Sequence, residues 1–332
     1  MRIFAYDANA GEIEFYREFE RDHPDVEVVE FFGYPTIDDF TDTHVDVVST
    51  SGAPFGADLI EAAAKAGCRY VCARSIGYDN IDLEAAARCG MRVSNVTYSP
   101  HSVAEYTVMM MLMVLRKIRP MLRRFDAQDF RTDGLEGGEL AGRTVGIIGA
   151  GNIGATLARC LSGFGCEILA TDPYPRPDLD TIVTYVDLDE LLRRSDVVTI
   201  HMALSEQTRH LIDRDALAQM KPDAILINCA RGPMVDTAAL VDALAEGRLA
   251  GAGLDVVEGE EAFSYRDLPT HIVDDVAFAR LRAMPNVVVT SHMAYLTREV
   301  VRETVQRGFG HALMFAAGED VPFEIALPDV AD

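Results

Sequence analysis

The sequence predicts an α/β protein built from two doubly wound parallel-sheet domains. Short β-rich runs alternate with helical patterns along the chain, the rhythm of parallel strands joined by crossover helices. A glycine-rich turn near the middle links one such strand to one such helix. The 332 residues, at about 150 per domain, make two domains the default.

The first series of strands is expected at residues 2–6, 26–32, 46–50, 69–73 and 92–96, with helices at 11–21, 57–66 and 83–88. The alanine-rich helices carry apolar residues three and four apart, which suits packing on a sheet. Ser99-Pro100 opens a long helical segment to about residue 117, with Pro at home in a first turn. The polar stretch 126–142, with Gly134, Gly137 and Gly138, is the clearest composition break. A second series follows, with strands at 144–148, 167–171, 197–201, 224–228, 251–256 and 287–290 and helices between most of them. One helix spans 236–246, with Asp236 as N-cap and Gly247 as C-cap. The loop 261–275 is too long for a simple turn and reads as a functional or interface element. A last helix covers 297–317.

Composition excludes several classes. Thirty lysines and arginines against 53 acids give a net charge of −23, which repels a phosphate backbone and argues against a nucleic-acid partner. With 49% apolar and 25% charged residues, each domain can bury a core. The longest strongly apolar run, 108–115, falls far short of the roughly 20 residues that span a bilayer. The first seven residues read as a strand ending in an acid, not as an export signal. Cys68, Cys72, Cys89, Cys160, Cys166 and Cys229 form no CxxC pair, and no histidine cluster at metal spacing accompanies them. Buried, reduced thiols in a cytoplasmic protein without a metal are expected.

The apolar strand 144–148 runs into Gly149-Ala150-Gly151-Asn152-Ile153-Gly154, a helical pattern follows, and the next strand ends at Asp172, 18 residues beyond Gly154. Strand, glycine turn, helix, strand and acid make a dinucleotide fingerprint in its required context. Gly149 permits the turn, Gly151 lets the backbone approach a pyrophosphate, and Gly154 lets helix and strand pack closely. The pyrophosphate sits at a helix N-terminus. Asp172 accepts from ribose hydroxyls and repels a 2′-phosphate, so NAD is expected over NADP; Arg176 lies close by in sequence.

A nicotinamide enzyme acting on a keto acid needs a cation for the carboxylate, an acid/base, and a partner that fixes that acid/base. Loops at strand C-termini are where such groups belong. Arg231, after the strand 224–228, offers a fork-shaped cation. Glu258 and Glu260 follow the strand 251–256. His292, after the last strand, can move a proton near neutral pH, and a glutamate beside it would hold the imidazole charged for carbonyl reduction. Each alone is ordinary: a surface arginine, a solvated acidic turn, a loop histidine. Their joint order behind a nucleotide fingerprint is what points to a site.

GAGNIG at 149–154, NCARG at 228–232, GLDVVEGE at 253–260 and SHMAY at 291–295 together resemble the D-isomer-specific 2-hydroxyacid dehydrogenases, from about residue 69 to 302 and more loosely across the chain. The resemblance implies a Rossmann-type NAD domain, 99–296, inserted in a flavodoxin-like substrate domain, 1–98 and 297–332. It implies NADH-dependent reduction of a 2-keto acid, pyruvate or a larger analogue such as phenylpyruvate, to the D-2-hydroxy acid. Arg231 would orient the substrate, Glu260 support the histidine and His292 donate the proton. Glu260 is preferred to Glu258 because the family's glutamate lies five residues after the aspartate of the GLDV strand, here Asp255. Asp255 would bond the nicotinamide amide. Met202, Ala203 and Thr208 would surround NAD mostly through backbone, with Cys229, Ala230 and Arg231 beside it. His201 is expected in a structural role near the adenosine.

Within the family the D-lactate dehydrogenases are nearest in pattern. Arg74 to Asp82 resembles their carboxylate-binding loop, so backbone N–H groups of Ser75, Ile76 and Gly77 would share the carboxylate. Tyr98 and Tyr295 would line the pocket. RSIG and the EGEE insertion at 259–267 are similar to the enzymes of vancomycin-resistance clusters, which lack an acid at the Asp172 position. Residues 50–55 depart from the pattern: small side chains stand where bulky ones face the substrate methyl, which would admit larger keto acids. The resemblance also implies domain closure and a homodimer, with the long helix as hinge and dimer contact; the methionines at 109–113 read as a packing face between domains or subunits. NAD-sensing corepressors share the fold, but an acidic chain ending compactly at Asp332 does not suit them. Formate dehydrogenases typically carry glutamine at the Glu260 position.

Overall fold

The computed structural model describes residues 1–265, 268, 270 and 273–328. Arg266 and Asp267 of the 259–267 insertion, parts of the 261–275 loop and the last four residues lie outside these. The chain divides into two compact units, Met1–Ser99 with Leu296–Asp332, and Pro100–Tyr295. Ser99, expected at the head of the middle domain, is tied to the first unit: its N–H donates to Glu303 at 3.0 Å.

The first unit holds five parallel strands: β1 (Arg2–Ala5), β2 (Glu27–Glu30), β3 (Val47–Thr50), β4 (Tyr70–Ala73) and β5 (Arg92–Ser94), in the order β2-β1-β3-β4-β5. This is the flavodoxin-like doubly wound order. β3 and β4 are buried at every position, as strands covered on both faces must be. On one face Ile3, Tyr16, Phe19 and Phe309 pack between helices Ala10–Asp22 and Arg298–Ala317. On the other, Phe4, Tyr6, Phe55 and Ile60 form a second core. An Asn9–Glu12 capping box starts the first helix, satisfying amide groups that have no partner within it.

The second unit holds β6 (Thr144–Ile148), β7 (Glu167–Thr171), β8 (Thr184–Tyr185), β9 (Val197–Ile200), β10 (Ile225–Asn228), β11 (Gly251–Leu254) and β12 (Val287–Val289). Their order is β12-β11-β10-β9-β6-β7-β8, all parallel. Counted from β6 this is the 3-2-1-4-5-6 Rossmann order with one further strand outside it. The edge strand β8 has two residues and left no pattern to read in the sequence.

The long helix is shorter than expected. It spans His101–Leu115, Lys117 turns left-handed at φ 51°, and a second helix, Ile118–Asp126, follows with Pro120 in its first turn. Of the methionine run, Met110 and Met111 pack inside this unit and are fully buried, whereas Met109 is exposed; Met110 Cε stands 3.4 Å from where a Cβ at Gly253 of β11 would lie. Of the six cysteines, Cys68, Cys72 and Cys229 are buried, whereas Cys89, Cys160 and Cys166 are partly exposed. No helix among the described residues is long and apolar enough to cross a membrane.

Candidate active site

Sheet register sets the site. Ile148 of β6 pairs with Ile200 of β9, Asn228 of β10 with Leu254 of β11, and Leu254 with Val289 of β12. The loops that follow these strands therefore leave one sheet edge at one level, the place where doubly wound sheets bind ligands.

At the first of these loops, Gly149 turns at φ +95° and Gly154 lies against it. A Cβ at Gly154 would stand 2.0 Å from the Gly149 carbonyl oxygen, so only glycine fits. Gly151 differs: a Cβ there would meet nothing within 4 Å. No protein neighbour demands glycine at 151, and the open space fits a pyrophosphate approaching the start of helix Asn152–Leu161. Asn152 is exposed and Ile153 partly so. Asp172, at the end of β7, accepts from Ala150 N at 2.7 Å and Tyr174 N at 2.8 Å, which sets its carboxylate beside the glycine turn. Arg176 is engaged with Asp178 at 3.1 Å and Asn152 Oδ1 at 3.3 Å.

After β9, Met202 packs against Gly149. Thr208 donates to the Ala203 carbonyl at 2.8 Å and accepts from Ser205 N, closing the 203–208 turn. His201 lies at the end of β9 with its ring 3.0 Å from Thr199 Oγ1. Burial pushes its pKa down to about 4, so it stays neutral near pH 7, in keeping with a structural role.

After β10, Asn228 orders the next turn by accepting from Ala230 N and donating to the Arg231 carbonyl. Arg231 is half-buried, and one of its guanidinium N–H groups donates to Ala230 O at 2.8 Å. A Cβ at Gly232 would lie 2.2 Å from the Val257 backbone. That contact seats the Arg231 turn directly on the segment that carries Glu258 and Glu260. Cys229 is buried, and burial followed by the Asp255 carboxylate pushes its thiol pKa up. It is thus no thiolate nucleophile.

After β12, His292 adopts φ 54°, and its Nδ1 lies 2.8 Å from Glu260 Oε1. Side-chain exposures of 26% and 16% leave this pair shielded yet reachable. The other carboxylate oxygen of Glu260 accepts from Val257 N at 3.0 Å, which fixes its orientation. Glu258 turns away to His210 Nε2, 2.9 Å. Spacing alone leaves the two glutamates open, and the geometry pairs Glu260 with the histidine.

Asp255 is fully buried and does more than the sequence suggests. Its carboxylate accepts from Thr290 Oγ1 at 2.6 Å, Met293 N at 2.8 Å and Ala294 N at 2.8 Å, and its carbonyl accepts from His292 N at 2.7 Å. It thus ties down the loop that presents His292. Tyr106 stands beside Thr290 and Asp255. Tyr265 donates to the His292 carbonyl at 3.3 Å, and the rings of Tyr265 and Tyr295 lie 5.9 and 6.4 Å from the imidazole. Thr290, Tyr106, Tyr265 and His210 were not singled out in the sequence. Only their nearness in space marks them.

In the first unit Ser75, Ile76, Gly77 and Tyr98 are half-buried. Ser75 donates to Gly77 O at 2.6 Å or Ser51 O at 3.0 Å, and Asn95 donates to Ile76 O at 2.6 Å, so the turn is held by its carbonyls. Arg74 is spent in the core, on Ser49 Oγ at 2.9 Å, Tyr6 O at 2.8 Å and Glu12 at 3.4 Å. Asp7 accepts from the N–H groups of Ser51, Gly52 and Ala53. Ala53 and Phe55 are fully buried, so Phe55 is core. Among the described residues, no group of three or more His, Cys, Asp or Glu side chains is placed to hold a metal ion.

Comparison with known proteins agrees with this architecture. The family model for the D-isomer specific 2-hydroxyacid dehydrogenase NAD binding domain matches residues 108–294. A D-specific alpha-keto acid dehydrogenase of Enterococcus faecalis is 45% identical over 256 residues, 77% of this chain and 78% of that protein. The D-lactate dehydrogenase of Escherichia coli is 36% identical, covering 80% of this chain and 82% of its own. An NAD-complexed D-isomer specific 2-hydroxyacid dehydrogenase from Lactobacillus delbrueckii ssp. bulgaricus superposes with a TM-score of 0.82 at 30% identity, covering 98% of this chain and all of that one. The chain belongs to the D-isomer-specific 2-hydroxyacid dehydrogenase family. It is an NAD-dependent oxidoreductase of D-2-hydroxy acids, close to the D-lactate dehydrogenases.

Proposed function

We propose that the chain uses NADH to reduce pyruvate, or a larger 2-keto acid, to the D-2-hydroxy acid, acting as a D-lactate dehydrogenase with a widened substrate range. The observation that carries this is the His292–Glu260 pair, 2.8 Å apart, on the sheet edge that also carries the glycine turn and Arg231. With Nδ1 held by Glu260, Nε2 is the ring nitrogen that gives a proton to the substrate carbonyl oxygen. Glu260 orients the ring and balances its charge when Nε2 is protonated. Arg231 grips the substrate carboxylate as a fork. The backbone N–H groups of Ser75, Ile76 and Gly77 share that carboxylate, and Tyr98 and Tyr295 border the substrate. Gly149, Gly151, Asn152, Ile153 and Gly154 hold the pyrophosphate, Asp172 the adenosine ribose, and Met202, Ala203, Thr208, Cys229, Ala230 and Asp255 complete the NAD site. The nicotinamide, when bound, supplies the hydride. We assign the first unit, which takes in Ser99 and Leu296 beyond the expected bounds, to the substrate domain and the second unit to the NAD domain.

The segment 50–55 supports the widened range. Its small residues are pinned by Asp7, and its one bulky side chain, Phe55, is withdrawn into the core. The rate of NADH absorbance loss with pyruvate and with phenylpyruvate tests this. Phenylpyruvate is expected to turn over with kcat/KM within about tenfold of pyruvate, since a pocket that rejects one extra apolar group discriminates by roughly 10–200-fold. A far lower value for phenylpyruvate contradicts the wide pocket and leaves the dehydrogenase assignment standing.

A cytoplasmic homodimer is part of the proposal. Helix Ile118–Asp126 buries none of its residues, and Met121, Leu122 and Phe125 stand exposed with Met109 and Phe130 near them in sequence. An apolar face of this kind marks an interface, here with a second copy. Sedimentation equilibrium at about twice the chain mass is expected, and a monomer contradicts it.

A further inference from the structure

At the amino-terminal ends of β10, β11 and β12, opposite the edge that carries Arg231, Asp255 and His292, a cavity of about 540 Å³ opens within the second unit. Ile225, Ala250 and Val288 give it an apolar wall. Lys117, Arg119, Arg124 and Arg143 line it with positive charge, against two carboxylates, Glu136 and Asp223.

This surplus runs against the charge of the whole chain, which is −23. Seven of its 30 lysines and arginines fall between residues 116 and 143. None of the four lining cations forms an ion pair with a carboxylate among the described residues. They donate to backbone carbonyls instead: Lys117 to Gly134 at 3.2 Å, Arg124 to Asp133 at 2.7 Å, Arg143 to Glu139 at 2.7 Å, and Arg119 to Met284 at 2.8 Å and to Val287 and Arg282. Arg119 is thereby structural. Arg124 and Arg143 each use one of five guanidinium N–H groups and keep the others. Burial, then repulsion from Arg123 and Arg282, draws the Arg119 pKa below the ordinary arginine range, while Asp129 and Asp196, outside the lining, feel the charges of Arg124 and Arg143 without pairing with them. The cavity is shaped around its cations: a Cβ at Gly138 would stand 2.4 Å from Arg143 Nη2.

We propose that this cavity binds a small organic anion bearing two or more oxyacid groups, a phosphate ester or a polycarboxylate. Its charged groups lie on Arg124, Arg143 and Lys117, and its carbon frame on Ile225, Ala250 and Val288. Guanidinium forks match the paired oxygens of phosphate and carboxylate alike. A volume of about 540 Å³ falls within the ordinary range of ligand sites. The site is separate from the dinucleotide turn, which lies at the opposite ends of the strands.

Titration calorimetry on the full chain saturated with NADH, so that the glycine turn is filled, tests the proposal with pyrophosphate, citrate and inorganic phosphate as probes. One saturable site per chain is expected for pyrophosphate or citrate, with inorganic phosphate weaker. Tighter binding of pyrophosphate assigns the phosphate-ester class, and tighter binding of citrate the polycarboxylate class. The double variant Arg124→Gln/Arg143→Gln is expected to weaken binding by at least about 100-fold, since it removes two charge-assisted forks at once, while kcat without the probe is unchanged. Should that variant fold poorly, Arg124→Lys/Arg143→Lys keeps the charge and removes the forks, and is expected to lose about tenfold. No binding up to about 10 mM, or binding unaltered by either variant, overturns the proposal.

Discussion

His292→Ala is expected to lower kcat by about 1,000-fold, within the roughly 100- to 10,000-fold that a positioned acid/base contributes, and to leave NADH affinity nearly unchanged. The separation follows from the structure. His292 reaches Glu260 through Nδ1 and lies on a loop that Asp255 holds through Thr290, Met293 and Ala294. None of those loop contacts uses the imidazole, so its removal takes away proton transfer and leaves the loop in place. The ring is also partly exposed, so little packing is lost. Steady-state kinetics and fluorescence titration with NADH check both halves, and near-full activity would sink the acid/base assignment.

Arg231→Gln is expected to raise the keto-acid KM and lower kcat together, for a combined fall in kcat/KM of about 100- to 1,000-fold. Losing one partner of a buried, hydrogen-bonded charge pair costs roughly 2–5 kcal/mol. A residue that grips the carboxylate in both the bound and the reacting states shows in KM, and one that also aligns the carbonyl shows in kcat. Arg231 is preset for both, because Gly232 presses on the Val257 backbone and Asn228 holds the turn from within. Arg231→Lys keeps the charge and loses the fork, and is expected to recover only part of the loss. A KM unchanged in both variants would remove Arg231 from the substrate.

Much of this was legible in the sequence because it is local. The glycine turn at 149–154, its flanking strand and the acid at 172 lie within one βαβ unit, where spacing translates directly into geometry. Among the described residues the hydrophobic runs marked eleven of the twelve strands, and Thr184–Tyr185 escaped because two residues carry no period. The break at Lys117 escaped too, since a single left-handed residue between two helical stretches leaves no periodic signature. Contacts across loops are the other gap. Asp255 meets Thr290 from 35 positions away and Glu260 meets His292 from 32, and only the parallel register of β11 with β12 closes those distances. The resemblance to a family chose Glu260 over Glu258, and the fold gives the physical reason, with Glu258 turned to His210. Arg74, which opens the stretch resembling the carboxylate-binding loop, is consumed by Glu12, Ser49 and Tyr6.

The central claim is that His292 and Glu260 act as one unit, and a double-mutant cycle on kcat measures it most directly. If Glu260 works only by orienting and balancing the imidazole, Glu260→Gln alone lowers kcat by about 10- to 100-fold, and adding it to His292→Ala lowers kcat no further. If the two losses multiply, Glu260 acts independently of the histidine and the pairing does not carry the chemistry.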